Sequence, residues 1–328
     1  MKVGRRAQLL LIACLLSAVP LATVTAQEAA TDEPVTRPVV SEVVSPLIPI
    51  EPVASDGYRG EGILRKPPGD GPFPAVVLIH GGLTKYPLER LRDFVGQVLA
   101  SLFLYEGYIV AAITYRSRDI DPNSPDSLRD TVAAVEHLKT LPSVDRESVV
   151  VFGVSGGGDL ALQIASAIPV AAIVVEEPAT ILMAGLFSDE HAAIFLRAVD
   201  DPEALNEYLE IDWVAAYRSK EDNQAFSEAL ARISSPILMI EGPGIPFAKL
   251  IQFNDEILVP ELRTAGKAVD VLLYGDEPHG FLWRSEPPAT RSPNDAIDAF
   301  EKTDEFFRQH IRRQPTRFVD FVPVNAGP

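Results

Sequence analysis

Ser148-Val-Val-Val-Phe-Gly-Val-Ser-Gly-Gly-Gly-Asp-Leu-Ala-Leu-Gln-Ile-Ala165 decides how the rest of this 328-residue chain is read. Val149 to Phe152 is a β-branched and aromatic run, suited to a buried parallel strand. Gly153-Val154-Ser155-Gly156-Gly157 follows, and a helix is expected from about Gly158. Strand, sharp turn and helix are the context that gives a G-x-S-x-G pentapeptide chemical meaning. The serine belongs at the apex of a strained turn. The flanking positions must be nearly bare, because strand and helix pass close together, and Gly153 and Gly157 meet that demand. Ser155 is then expected to present its hydroxyl at the C-terminal edge of a sheet, above the N–H groups of a helix start. The plainer alternative is a glycine-rich turn whose serine merely caps the helix. The strand and helix patterns on either side weigh against it.

Outward from that stretch, apolar strand-like runs alternate with helical spacing. Strands are expected over Tyr58 to Leu64, Ala75 to Ile79, Tyr108 to Thr114, Val170 to Val175, Pro236 to Ile240 and Val269 to Tyr274. Helices are expected over Glu89 to Leu104, Pro125 to Leu138, Phe247 to Ala265 and Asp295 to His310. This alternation implies an α/β fold, a mostly parallel central sheet with helices on both faces. Residues 179–233 break the rhythm. They look helical, carry Phe187, Phe195, Tyr208, Trp213 and Tyr217, and read as a small cap insertion.

The ends read differently from the body. Residues 1–26 have the form of a secretory signal: Lys2, Arg5 and Arg6, then an apolar run, then Val24-Thr25-Ala26 for cleavage after Ala26. Leu11-Ile12-Ala13-Cys14 offers a lipoprotein alternative at Cys14. Removal of the leader moves the formal charge from −17 to −20 and takes away the sole cysteine. A chain this acidic is a poor partner for nucleic acid or anionic membranes, and without a thiol it has no disulfide or thiolate chemistry. The expected environment is secreted or periplasmic, with no membrane insertion after cleavage. Residues 27–54 hold Pro34, Pro38, Pro46, Pro49 and Pro52 and read as an extended arm. Residues 55–310 form the expected catalytic domain, and 311–328 a tail.

Four pieces together carry a family resemblance: Gly71-Pro-Phe-Pro-Ala-Val-Val-Leu-Ile-His-Gly-Gly82, the Gly153 to Gly157 turn, Ala265-Gly-Lys-Ala-Val-Asp-Val271 and Pro278-His-Gly-Phe281. In order and spacing the chain resembles α/β-hydrolase serine hydrolases, and is similar to dienelactone hydrolases and prolyl-oligopeptidase-type catalytic domains. The resemblance implies an acyl-transfer enzyme that needs no cofactor and no metal. A serine hydroxyl is a weak nucleophile at neutral pH and needs a base and an oxyanion pocket. His279, in a Pro-His-Gly loop after the last strand, is the expected base. Gly156 and Gly82 are the expected oxyanion N–H donors. His80 is expected to brace its loop, and Asp159 to be a helix-dipole partner.

The acid is where the pattern departs. Relatives end the strand before the histidine loop with a segment like His-Gly-Thr-Ala-Asp-Pro; here Glu241-Gly-Pro-Gly-Ile-Pro246 puts Ile245 at the aspartate position. An alternative is Glu176-Glu177, at the end of the strand next to the serine strand, where haloalkane dehalogenases and glucuronoyl esterases place their acid. Glu177, 22 residues after Ser155, is the preferred candidate. Glu176 and Glu241 stay open, as do Asp255, Asp276 or no acid at all. The expected reaction is cleavage of an ester through an acyl-enzyme. Cleavage of a short peptide, as in prolyl-oligopeptidase-type enzymes, and an impaired hydrolase that only binds a ligand are the alternatives. Oligomeric state leaves no mark in the sequence.

Overall fold

The computed structural model describes residues 45–117, 124–198, 201–242, 246–275, 277–283 and 292–317. The leader, residues 27–44 of the arm, Ile245, Asp276 and the tail beyond 317 lie outside the described residues.

Eight strands form one sheet: β1 (Ile48–Ile50), β2 (Gly62–Arg65), β3 (Phe73–Ile79), β4 (Ile109–Ile113), β5 (Val144–Val154), β6 (Ile173–Glu176), β7 (Ile237–Glu241) and β8 (Val269–Leu273). Their spatial order is β1-β2-β4-β3-β5-β6-β7-β8. β1 with β2 and β2 with β4 run antiparallel; every later pair is parallel. The mostly parallel α/β sheet expected from the alternation is observed, in the α/β-hydrolase arrangement that the resemblance implies. The sheet starts earlier than the sequence suggested, because Ile48-Pro-Ile50, inside the proline-rich arm, pairs with β2 as an edge strand. Pro49 is tolerated there because an edge strand need not donate from both sides.

Side chains alternate across the sheet with a period of two, and so feed two cores. Val77, Ile79, Val149 and Val151 point into one core, with α3 (Asp126–Thr140) and α4 (Gly156–Ala167) packed over them. Val76, Leu78, Val150 and Phe152 point into the other, under α1 (Leu88–Gly96), α2 (Val98–Glu106) and α11 (Pro293–His310). Both faces of the central strands are therefore dry, and each large side chain buried there contributes about 1.5–3 kcal/mol.

The helix expected over Glu89 to Leu104 is two helices, broken where Gln97 turns extended. Between β6 and β7 lie α5 (Asp189–Arg197), α6 (Pro202–Leu209), α7 (Trp213–Ser219) and α8 (Gln224–Arg232). The aromatics of this segment, Phe187 before α5 and Tyr208, Trp213, Tyr217 and Phe226 within the helices, join the first core. The cap is thus fused to the body through a continuous apolar interior.

The stretch expected as one helix over Phe247 to Ala265 has a wide turn in its middle. α9 (Ala248–Phe253) and α10 (Val259–Thr264) flank a π segment, Asn254–Leu258, in which the N–H of Val259 reaches back to the Asn254 carbonyl. Pro260 follows directly. Its missing N–H and its ring do not suit a regular α turn, and a wider turn relieves that conflict. Among the described residues no helix is long and apolar enough to cross a membrane.

Candidate active site

β5 ends at Val154 and α4 starts at Gly156, two residues earlier than expected, so Ser155 alone makes the turn. Its φ of 51° and ψ of −119° are a strained conformation for a residue with a side chain. Backbone bonds on three sides hold it there. Ser155 N donates to the Glu176 carbonyl at 2.9 Å, and the Ser155 carbonyl accepts from Asp159 N at 3.1 Å and Ala179 N at 2.9 Å.

The neighbouring glycines are a steric requirement. A Cβ on Gly153 would sit 2.1 Å from the Gly157 carbonyl oxygen, and one on Gly157 would sit 2.2 Å from that of Ile79 and 2.4 Å from that of His80. Those are backbone atoms of β3, its following residue and the helix start, and they cannot swing aside. Gly157→Ala is therefore expected to lose more than about 4 kcal/mol of stability and to melt about 10 °C or more below the wild type. A melting temperature within about 2 °C of the wild type would contradict this geometry.

Glu177 follows β6 directly and has a φ of 44°, a second strained non-glycine position. The turn sends its carboxylate across the end of β7 toward the histidine loop. Oε1 accepts from Gly242 N at 3.0 Å, and Oε2 accepts from Gly280 N at 2.9 Å. Oε2 also lies 2.5 Å from Nδ1 of His279. The approach is off the N–H axis, so it is a close charge contact rather than a straight hydrogen bond. Such contacts commonly straighten when substrate binds.

Glu177 is wholly buried, and burial pushes its carboxyl upward. The His279 ring and the N–H groups of Gly280 and Gly242 outweigh that and hold it below the usual carboxylate range. The His279 ring is itself nearly covered, with the Phe247 ring 4.8 Å away. With Nδ1 on Glu177, the other ring nitrogen is left for proton transfer.

Backbone links bring this pair to the serine. Ser155 is bonded to Glu176 and Ala179, the residues bracketing Glu177 and Pro178. A Cβ on Gly280, next to His279, would touch Val154, next to Ser155, at 3.4 Å. On the other side of the serine lies the loop after β3. A Cβ on Gly81 would lie 3.3 Å from the Ser155 Cβ, and one on Gly156 would lie 2.6 Å from the Gly82 carbonyl oxygen. Gly82 has φ +81°, open to glycine alone without strain. The two backbones meet bare beside Ser155, the arrangement an oxyanion pocket needs.

His80 braces that loop. Its ring stacks between Tyr86 at 3.6 Å and Tyr115 at 4.3 Å, and Nδ1 lies 2.9 Å from the Gly81 carbonyl. Burial pushes its pKa down to about 3, so it stays neutral. The Tyr115 hydroxyl donates to the His80 carbonyl at 2.8 Å. Sequence reading missed Tyr115; its place two residues past β4 was the available signal.

The prolyl oligopeptidase family model matches residues 121–314, more than half of the chain and every triad candidate. The chain belongs to the prolyl oligopeptidase family. That places it among the serine hydrolases of the α/β-hydrolase fold. A second model, BD-FAE, matches residues 63–173. Acyl-coenzyme A thioesterase 1 of Homo sapiens is 33% identical over 121 residues, 35% of this chain and 25% of that protein. Acyl-coenzyme A thioesterase 6 of Homo sapiens is 31% identical over 134 residues, 38% of this chain and 28% of that protein. The match thus spans about a quarter of the length of these curated relatives.

Among solved structures, carboxyl esterase 2 of Tuber melanosporum superposes with a TM-score of 0.56 at 18% identity, covering 82% of this chain and 88% of that one. An esterase of Pseudomonas putida ECU1011 gives 0.58 at 15%, covering 84% and 86%. Pyrococcus horikoshii acylaminoacyl peptidase gives 0.60 at 18%, covering 84% and 43%. These likenesses are of fold.

Within this prolyl oligopeptidase family member, the other acids fall away from His279. Glu176 is buried, and its Oε1 accepts from Leu282 N at 3.1 Å. Glu241 is buried at the end of β7, and neither of its carboxylate oxygens is hydrogen-bonded to the imidazole. Asp255 lies on the π segment and is exposed. Asp159 does more than face a helix dipole. It is fully buried, accepts from Met183 N at 2.9 Å and Gln163 Nε2 at 2.7 Å, and so ties α4 to the start of the cap. Among the described residues no group of three or more His, Cys, Asp or Glu is placed to hold a metal ion.

Proposed function

We propose that the chain is a serine esterase in which Ser155 is the nucleophile, His279 the general base and Glu177 the acid of the triad. The observation that carries this reading is the Glu177–His279 contact, with both carboxylate oxygens anchored by backbone N–H groups. In the first step Ser155 Oγ attacks the ester carbonyl and His279 takes its proton. Gly156 N–H and Gly82 N–H receive the developing oxyanion. Glu177 keeps Nδ1 protonated and balances the imidazolium charge. The imidazolium then protonates the leaving alcohol. Water attacks the acyl-enzyme by the same route in reverse roles, releasing the acid and restoring Ser155.

A small-molecule ester is the proposed substrate. The thioesterase relatives make thioesters a reasonable second group to assay, because the same carbonyl attack serves both. The basic, apolar and small-residue zones of residues 1–26 support export. Family membership favours one competing reading, cleavage of short peptides. The deciding assay compares purified wild type on a short-chain aryl ester and on a dipeptide amide with the same reporter group. Faster ester turnover is expected, by about 10²-fold or more in kcat/KM. Faster amide cleavage would favour the peptidase, and turnover of neither would remove the enzyme reading.

A further inference from the structure

Gly82 can serve as an oxyanion donor only if its N–H is aimed, and that N–H belongs to the peptide plane between Gly81 and Gly82. A trans peptide holds its C=O and N–H on opposite sides of one rigid plane. Whatever grips the Gly81 carbonyl therefore aims the Gly82 N–H. Two glycines in a row give that plane no side chain of its own to hold it.

The His80 ring supplies the grip. Its Nδ1 lies 2.9 Å from the Gly81 carbonyl oxygen. A carbonyl only accepts, so Nδ1 carries the ring proton. The Tyr115 hydroxyl, 3.2 Å from Nδ1, donates its own proton to the His80 carbonyl. Nε2 is buried and meets no donor, as befits the bare nitrogen of a neutral ring. Burial, and to a smaller extent the Arg90 charge, keep the ring neutral.

The ring is in turn clamped between planar groups. Four lie face on face: Tyr115, His80, Tyr86 and Arg90. The Tyr115 and His80 rings are 4.3 Å apart at 12°, and the His80 and Tyr86 rings 3.6 Å apart at 8°. The Arg90 guanidinium lies 3.8 Å from the Tyr86 ring centre. Because His80 covers one face of Tyr86, the guanidinium takes the other. Arg90 stands in the first turn of α1, where a cation opposes the helix dipole. Among the described residues no carboxylate pairs with it. The stack on Tyr86 is the contact this placement serves.

We propose that Tyr86 and Arg90 are positioning residues: stacked on the outer face of His80, they hold its ring so that Nδ1–H fixes the Gly81–Gly82 peptide and aims the Gly82 N–H at the oxyanion. The inference rests on the oxyanion pocket proposed above. Release of the ring lets the bare peptide plane swing, and the developing charge loses one of its two donors. That loss is felt in the transition state, so kcat and kcat/KM fall together.

Steady-state kinetics on the short-chain aryl ester test this. Removal of a whole oxyanion donor costs about 10²–10³ in kcat. Tyr86→Leu, which loosens the donor, is expected to lower kcat about tenfold or more, with KM within about twofold of wild type. Tyr86→Phe keeps the flat ring and should stay within about twofold in both. Arg90→Ala should lower kcat about threefold on its own. It should add almost nothing once Tyr86 is leucine, because it acts through that ring. Wild-type kcat in Tyr86→Leu, a Tyr86→Phe variant as slow as Tyr86→Leu, or additive effects of Arg90→Ala would overturn the proposal.

Hydrogen exchange reads the same clamp without catalysis. By mass spectrometry, a peptide spanning Gly81 and Gly82 should exchange about tenfold faster in Tyr86→Leu than in wild type, with the central strands and α4 unchanged. Tyr86→Phe should exchange as wild type does. Unchanged exchange at Gly81 and Gly82 in Tyr86→Leu would overturn the clamp even if the esterase reading failed.

Discussion

Replacing Ser155 with alanine is expected to lower kcat for a short-chain aryl ester by about 10⁶-fold, the scale set by removing the nucleophile from a working triad. The melting temperature should move by no more than a few degrees. The two expectations separate because the backbone and the hydroxyl have different jobs. Ser155 is held at φ 51° by main-chain bonds to Glu176, Asp159 and Ala179, and alanine keeps all of them. Serine and alanine meet the same Cβ strain at that φ, so the turn is no harder to form. The change deletes one oxygen. Residual hydrolysis, if the oxyanion N–H groups of Gly156 and Gly82 remain in place, should still exceed the water rate. A variant that keeps more than about 1% of wild-type kcat would mean that another group does the chemistry.

Glu177→Gln is expected to cost about 10⁴-fold in kcat, because an amide can stabilise the wrong imidazole tautomer. The geometry makes the substitution worse than isosteric. Both carboxylate oxygens accept backbone N–H groups, from Gly242 at 3.0 Å and Gly280 at 2.9 Å. Glutamine offers one acceptor and one donor, so one of those N–H groups must face an NH₂. Turning the amide to favour His279 strands Gly242; turning it to favour Gly242 strands Gly280 and presents a donor to the ring. A stranded buried donor costs about 1–3 kcal/mol, so the melting temperature should also fall, by about 3–8 °C. Rate loss without any loss of stability would show that Glu177 acts through charge alone.

The same carboxylate predicts behaviour in acid. Its folded pKa is held below the usual range, so its contribution is present above the unfolded value of about 4.5. It is lost as pH falls through the folded value. Wild type should therefore lose stability below pH 4.5 more steeply than Glu177→Gln.

The sequence made the strand–Ser155–helix unit readable because its constraints are local. A β-branched run, bare glycines at close approach and a helix start are all encoded within 18 residues. Ala75 to Ile79, His80-Gly-Gly82 and Pro278-His-Gly280 were legible for the same reason. The acid was only a preference among several. Choosing Glu177 over Glu176 depends on a φ of 44° at one residue, which sends adjacent side chains to Gly280 and Leu282 respectively. No pattern of residue types encodes that turn.

Three other features depend on tertiary partners and stayed hidden. Tyr115 looks like an ordinary strand-end tyrosine until His80 is placed against it. Ile48–Ile50 looks like linker because its partner, β2, lies beyond a glycine-rich turn. The cap's aromatics are spaced as in any amphipathic helix, and only packing puts them in the sheet's own core.

The most direct test labels wild type with a fluorophosphonate and maps the modified peptide by mass spectrometry. A phosphonyl adduct is expected on Ser155, with labelling about 10⁴-fold slower in Glu177→Gln and absent in Ser155→Ala. An adduct on any other residue, or equal labelling rates in wild type and Glu177→Gln, would contradict a serine activated through His279 and Glu177.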